Sequence, residues 1–125
     1  MAAPNIVGIT TVTGATAYKN LTDTSATTLL TNAASSNQVY KVNSIVVAND
    51  DGSSTANITC AFHDAAAGGG TGYKIAHQID VVAKSTLVLI DKASTFYLEE
   101  DRSIVVTASA GNDLDVICGY EVLES

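Results

Sequence analysis

Apolar and polar residues alternate with a period of two through most of the chain, which predicts strands rather than helices. The clearest stretch is QVYKVNSIVVANDDGSSTANITCAFHD, residues 38–64. In its first half Tyr40, Val42, Ser44, Val46 and Ala48 fall on one face, and Val39, Asn43, Ile45 and Val47 on the other. In its second half Ile58, Cys60 and Phe62 alternate with Asn57, Thr59, Ala61 and His63. Asn49 to Ser54 between them is turn chemistry with Asp51-Gly52 as its tight point, so the pattern predicts a hairpin. The first strand is apolar on both faces. Val39, Ile45 and Val47 are therefore either covered inside the fold or exposed where a neighbouring subunit docks.

Upstream, Pro4 opens an extended segment, AAPNIVGITTVTG, with Ile6, Gly8, Thr10 and Val12 on one face and Val7, Ile9 and Thr11 on the other. Residues 1–14 read as an N-terminal extended arm or first strand that lies on its own domain or reaches a neighbour. Residues 15–125 read as a single β-sandwich domain. Tyr18 and Leu21 anchor a short strand, and Thr27 to Thr31 form another. A helix over Ser25 to Ala34 competes, but the threonines lower its propensity, and Asn32, Ser35 and Ser36 favour a turn.

Downstream, Ala65 to Gly72 is a glycine-rich, flexible connection without the Lys-Ser/Thr ending of a phosphate loop. Tyr73 to Val82 is a strand with Tyr73, Ile75, Ile79 and Val81 on one face. Leu87 to Ile90, LVLI, is a strand buried on both faces. Thr95 to Leu98 and Arg102 to Ser109 follow, then a second hairpin turn, AGND, at Ala110 to Asp113. Leu114 to Leu123 closes the chain with Leu114, Val116, Cys118, Tyr120 and Val122 inward. About eight to ten short strands with turns at roughly 8–12-residue intervals indicate an all-β, two-sheet antiparallel β-sandwich, jelly-roll-like or immunoglobulin-like. The immunoglobulin version lacks its expected Trp, since the chain has none.

Composition changes the picture in one respect. Only 15% of the residues are charged, against about 25% in ordinary soluble domains. Polarity comes from Thr, Ser and Asn, which suits either a robust β-domain or a surface that meets another protein. The net charge of −7, with six Lys and Arg, argues against nucleic acid and against an anionic membrane surface. The N-terminus carries no basic n-region and long apolar h-region, and no run reaches transmembrane length, so a cytoplasmic origin is expected. Cys60 and Cys118 are then expected to be buried free thiols rather than a disulfide.

The chain is poor in chemistry. The two histidines, His63 and His77, have no zinc-ligand spacing around them, and no GxSxG elbow occurs. Asp50, Asp51 and Asp64, or the row Glu99-Glu100-Asp101, could converge on calcium, but neither follows an EF-hand pattern and both read as turn carboxylates. Few aromatics are available to line a sugar cleft. No catalytic, cofactor or metal residue is assigned, and the expectation is a protein that is not an enzyme. The candidate site is a partner interface drawn from Ile6, Val7, Ile9, Val39, Ile45 and Val47.

The segments VYKVNSIVVANDDGS, YKIA, TFYLEEDRSIVVTAS and NDLDVICGYEVLES, with the MAAPNI start, are similar to small structural proteins of tailed bacteriophages, especially those of marine hosts including cyanobacteria. The resemblance runs from Pro4 to Glu124. It implies a non-enzymatic virion protein, most of all a capsid decoration or cement protein that stabilises the head shell. A neck-, tail- or fibre-associated protein and a carbohydrate-binding adhesion module on the virion surface are the alternatives. The implied partners are the major capsid protein or other virion proteins, with a homo-oligomer expected and neither nucleic acid nor membrane. The implied location is the virion, after assembly in the host cytoplasm. No site motif carries over from the family.

Overall fold

Among the described residues nine strands realise the period-two pattern, accompanied by two single-turn 3-10 segments. The computed structural model describes residues 5–125; Pro4, read as the start of the arm, lies outside the described residues. The strands are β1 (Thr11–Asn20), β2 (Thr27–Asn32), β3 (Val39–Asn49), β4 (Ala56–His63), β5 (Gly72–Val81), β6 (Thr86–Ile90), β7 (Phe96–Leu98), β8 (Arg102–Ala108) and β9 (Leu114–Glu124). β1 runs across position 14 without a break and absorbs Tyr18 into one long strand. The segment where a helix competed is β2.

The strands form two antiparallel sheets, one in the order β1-β9-β3-β6 with β7 also paired to β3, the other β2-β8-β4-β5. β1 and β2 belong to different sheets, whereas the first two strands of an immunoglobulin sandwich share one. The first and last strands lie side by side, and the connections wind across both sheets, which is jelly-roll order.

That winding corrects the two predicted hairpins. β3 and β4 are not paired: residues 50–55 carry the chain from one sheet to the other. AGND does the same between β8 and β9. Turn residues mark a reversal, but alternation alone does not say whether the next strand pairs or crosses the core. In the first arch the Asp51 carboxylate accepts the N–H groups of Ser53 (3.0 Å) and Ser54 (2.6 Å). Gly52 is not among the positive-φ residues, so no type I′ hairpin turn is made there.

The core fills the space between the sheets. Val42, Ile45, Val47, Leu114, Val116 and Cys118 enter from one side, and Ile58, Cys60, Ile104 and Val106 from the other, all at 0% exposure. Each such side chain contributes roughly 1.5–3 kcal/mol on leaving water. Two buried asparagines tie the sheets together at their ends. The Asn32 amide donates to Gln38 O (2.9 Å) and Leu98 O (3.0 Å). The Asn49 amide donates to Ser54 O (2.9 Å) and Val81 O (2.8 Å).

The glycine-rich connection is held in place rather than left loose. Ala66 N–H donates to Asp101 Oδ1, Ala67 N–H to Thr31 Oγ1 and Gly68 N–H to Ser103 Oγ. These bonds lay the loop over the outer face of the second sheet. A Cβ on Gly68 would meet Thr28 Oγ1 at 3.2 Å and Val105 Cγ2 at 3.4 Å, and Val105 is buried although it points away from the core cluster.

Candidate interaction surface

A bulge in β3 resolves its two-sided pattern. Val42 pairs with Tyr120 and Ser44 with Gly119, leaving Asn43 as the extra residue. One added residue reverses the facing of everything beyond it. Tyr40 and Val42 therefore point inward before the bulge, and Ile45, Val47 and Asn49 after it. The shift sets Tyr40, Val42, Ile45 and Val47 on the core side of the sheet, while Val39 and Val46 remain apolar residues on its outward side.

This places the six predicted interface residues in two groups. Ile45 and Val47 are fully buried core residues, so they present no docking surface. Val39 is also buried, opposite Leu123 on the outward side of the sheet, and neither belongs to the core cluster. Ile6 and Val7 lie in a 3-10 turn and are exposed, and Ile9 next to them is half-buried. The structure does not bring the two groups together on one surface.

The outward face of the first sheet carries a different set. Tyr18 is opposite Ile117, Ile117 opposite Val46, and Val46 opposite Val88. These residues form one row across β1, β9, β3 and β6, the full width of the sheet. Tyr18, Ile117 and Val88 are 74%, 45% and 55% exposed. The row corrects the reading of LVLI as buried on both faces, because Val88 faces solvent and only Ile90 is buried. A small and polar row flanks it, Thr16-Gly119-Ser44, and beyond that Gly14-Glu121-Lys41 sets a carboxylate opposite an ammonium. On the other side Asn20 donates to Asp115 Oδ1 at 2.6 Å. The result is an apolar stripe with polar margins. No strand pairs with the outer edge of β1 among the described residues, so its ten residues offer free backbone groups along one side of the stripe.

The carboxylates considered for calcium are engaged locally. Asp64 Oδ1 accepts Thr71 N–H (2.8 Å), and Glu100 Oε2 accepts Asn37 N–H (2.8 Å). The two N–H groups of Ser53 and Ser54 hold the Asp51 carboxyl below the usual carboxylate range. Among the described residues no group of three or more His, Cys, Asp or Glu is placed to hold a metal ion, and no helix is long and apolar enough to cross a membrane. Cys60 and Cys118 are free, and burial pushes both thiols up to about 12. A separate apolar pocket of about 300 Å³ opens at the other side of the sandwich, lined by Phe62, Ile75, Ile90, Phe96 and Tyr97.

The sequence matches no family model and no curated protein. The fold, in contrast, matches solved structures. One is from Bacillus endospore appendages, described as a novel family of disulfide-linked pili, at TM-score 0.54 and 14% identity over 99% of this chain and 96% of that one. A second is from the acid-stable capsid of Helicobacter pylori bacteriophage KHP30, at TM-score 0.52 and 10% identity over 92% and 89%. A third is from the T13 IBDV viral particle, at TM-score 0.52 and 8% identity, where this chain's 90% matches only 31% of the other. At these identities the likeness is one of fold: the two-sheet sandwich recurs in proteins of viral particles and of a bacterial appendage.

Proposed function

We propose that the protein is a non-enzymatic virion structural protein of a tailed bacteriophage, of the marine, cyanophage-like kind its sequence resembles. In this reading it binds the outside of the head as a decoration or cement protein, and its partner is the major capsid protein or another virion protein. The observation that carries the reading is the outward row Tyr18-Ile117-Val46-Val88, exposed at Tyr18, Ile117 and Val88 and half-buried at Val46. An apolar stripe spanning a whole sheet is costly to leave wet, and it suits a flat docking contact with a polar rim. The free edge of β1 beside it can add to a neighbouring strand. Modest contacts of this kind become strong when many copies hold one lattice. Fold neighbours drawn from a phage capsid, a viral particle and a pilus are consistent with an assembled setting. The acidic balance of −7 disfavours nucleic acid as the partner.

The test is quantitative mass spectrometry of purified particles, with and without Ile117→Asp. A shell protein is present in on the order of hundreds of copies, set by the icosahedral lattice, and a neck or tail protein in about a dozen or fewer. Ile117 is 45% exposed on β9, an interior strand of its sheet, so Ile117→Asp should cost about 1–2 kcal/mol of folding stability and still fold, which thermal unfolding checks. Losing one apolar contact of that size and desolvating a carboxylate in its place should cut occupancy about tenfold. Absence from particles, tail-like copy number, or unchanged occupancy of the variant would each overturn the decoration reading.

A further inference from the structure

Among the described residues five strands border the two sheets, and four of them are built against extension by a further strand. β2 carries a register shift at Leu29 and β6 one at Leu89. β5 carries two between Ile79 and Lys74, with a positive φ at Gln78 and the charged Lys74 and Asp80 exposed along it. β7 is three residues long. Bulges, charges and shortness are the common protections of a sheet edge. β1 is different. Its ten residues pair with β9 from Thr11↔Glu124 to Asn20↔Asp115 without a shift. It contains no proline, and its one charged residue, Lys19, stands next to its end. Among the described residues nothing pairs with its outer edge. Four residues span at most about 14 Å, under half of the roughly 33 Å of a ten-residue strand, so residues 1–4 are too few to cover that edge.

Parity fixes which backbone groups the edge offers. Leu21 N–H donates to Leu114 O at 2.9 Å, in step with the β1-β9 register. Odd-numbered residues of β1 therefore turn their N–H and C=O toward β9, and Val12, Gly14, Thr16, Tyr18 and Asn20 turn theirs outward. A two-fold pairing of β1 with itself must set even residues opposite even residues. Centred on Thr16, it sets Val12 opposite Asn20, Gly14 opposite Tyr18, and Thr16 opposite Thr16. All five outward residues of each copy then find partners, in about ten hydrogen bonds. Sliding by one step either way leaves one of the five unpaired.

The side chains agree with that register. A Cβ on Gly14 would meet nothing within 4 Å, so the sheet surface is open there. Tyr18 is 74% exposed. Each Tyr18 ring lies over the other copy's Gly14, the aromatic cover that a glycine in an edge strand favours. Lys19 falls opposite Thr13, so no like charges meet.

We propose that β1 pairs antiparallel with β1 of a second copy of this chain, two-fold about Thr16, and joins the β1-β9-β3-β6 sheets of the two copies into one. The contact uses the same edge in both copies, so it closes at the dimer. It needs no particle, so association in solution and copy number in particles are separate readouts.

The experiment is sedimentation velocity on the purified full-length chain, as wild type, Thr16→Lys and Thr16→Pro. Thr16 is exposed and its N–H points away from β9, so both variants keep the chain's own ladder, and thermal unfolding checks the fold of each. Wild type should dimerise reversibly. Thr16→Lys sets two ammonium groups face to face, and Thr16→Pro removes both central hydrogen bonds; each should weaken dimerisation at least about tenfold. Oxidised glutathione reads the register. Facing Cα atoms in a hydrogen-bonded antiparallel pair lie about 5.5 Å apart, within the reach of a disulfide. Thr16→Cys should therefore give a disulfide-linked dimer, and Asn20→Cys, which faces Val12, far less. Cys60 and Cys118 are buried, so wild type is the blank. A wild type that stays monomeric to about 1 mM would leave the edge to a strand of another protein and overturn the dimer. Folded Thr16→Lys that associates like wild type, or Asn20→Cys that cross-links as fast as Thr16→Cys, would overturn it too.

Discussion

Replacing Asn49 with alanine should cost far more than its place beside a surface turn suggests. The residue ends β3 in one sheet and is 2% exposed. Its amide donates to Ser54 O at 2.9 Å, within the arch, and to Val81 O at 2.8 Å, on β5 of the opposite sheet. Its Oδ1 accepts Asp51 N–H at 2.9 Å. The backbone bonds of the same residue, to Ser85 and Lys84, survive the substitution. Three side-chain hydrogen bonds at about 1 kcal/mol net each give about 3 kcal/mol, and a buried Val81 carbonyl deprived of this donor moves the total toward about 4. For a chain of this length each kcal/mol lowers the melting temperature by about 4 °C, so Asn49→Ala should melt about 12–16 °C below wild type. Urea denaturation followed by circular dichroism gives the free energy, with an unchanged m-value confirming that both variants unfold from the same compact state. Asn20→Ala is the control, because its amide bonds Asp115 on the surface, and it should fall within about 0.5 kcal/mol of wild type. If Asn49→Ala loses less than about 1 kcal/mol, or no more than the control, the asparagine does not join the sheets.

Two further outcomes follow from the core and the arches. Cys60 and Cys118 are raised from 9.0 to about 12 by burial. An unfolded chain releases their protons near 9 while the folded chain retains them, so stability is intact below about 9 and falls as pH rises toward 12, by about 1.4 kcal/mol per unit for each thiol. Denaturation midpoints that stay flat between pH 8 and 10.5, or native thiols that react with a disulfide reagent as fast as unfolded ones, would contradict their burial. A Cβ on Gly111 would meet Thr22 O at 2.6 Å, whereas one on Gly52 meets nothing within 4 Å. Gly111→Ala should therefore destabilise by about 1–3 kcal/mol through backbone displacement, while Gly52→Ala should be neutral or gain about 0.4–1 kcal/mol from a stiffer unfolded chain. The opposite ranking in thermal melts would refute the close approach of the second arch to Thr22.

The all-β class was legible because period-two alternation is a local property, and β9 shows why it works when a strand has no bulge. Leu114, Val116 and Cys118 point inward as the pattern predicts, with Tyr120 packed beside them against Tyr40, ring centroids 5.2 Å apart. β3 shows why it fails otherwise. Asn43 is one polar residue among several, and nothing local marks it as the residue that drops out of register. Pairing was harder still. The Asp51-Gly52 and Gly111-Asn112 segments carry the composition of hairpin turns, yet both span the core, because what decides between a hairpin and an arch is where distant strands lie. The jelly-roll order depends on β1 meeting β9, a contact between the two ends of the chain.

The exposed stripe was hidden for the same reason: Ile45 and Val47 lie on the opposite face of β3 from Val46. Val46 was on view in the sequence, on the face opposite Ile45 and Val47. Its meaning depends on Ile117 and Tyr18 on one side and Val88 on the other, residues up to 99 positions apart brought into one row by three separate registers. No one of them is unusual, since single exposed apolar residues are ordinary on protein surfaces. Their alignment is what makes a surface. A search for apolar residues on the outward parity of each strand would have found Ile117, which stands between Asp115 and Gly119 in an outward set that runs on through Glu121 to Leu123. The bulge at Asn43 then does two things at once: it turns Ile45 and Val47 into the core, and it leaves Val46 facing outward between Ile117 and Val88. A strand that kept Asn43 in the ladder would reverse both, putting Ile45 and Val47 on the surface and Val46 inside, whereas a chain lacking Asn43 would pair in unbroken register and keep every facing, so the exposed stripe and the packed core of this sheet rest on the same single-residue shift.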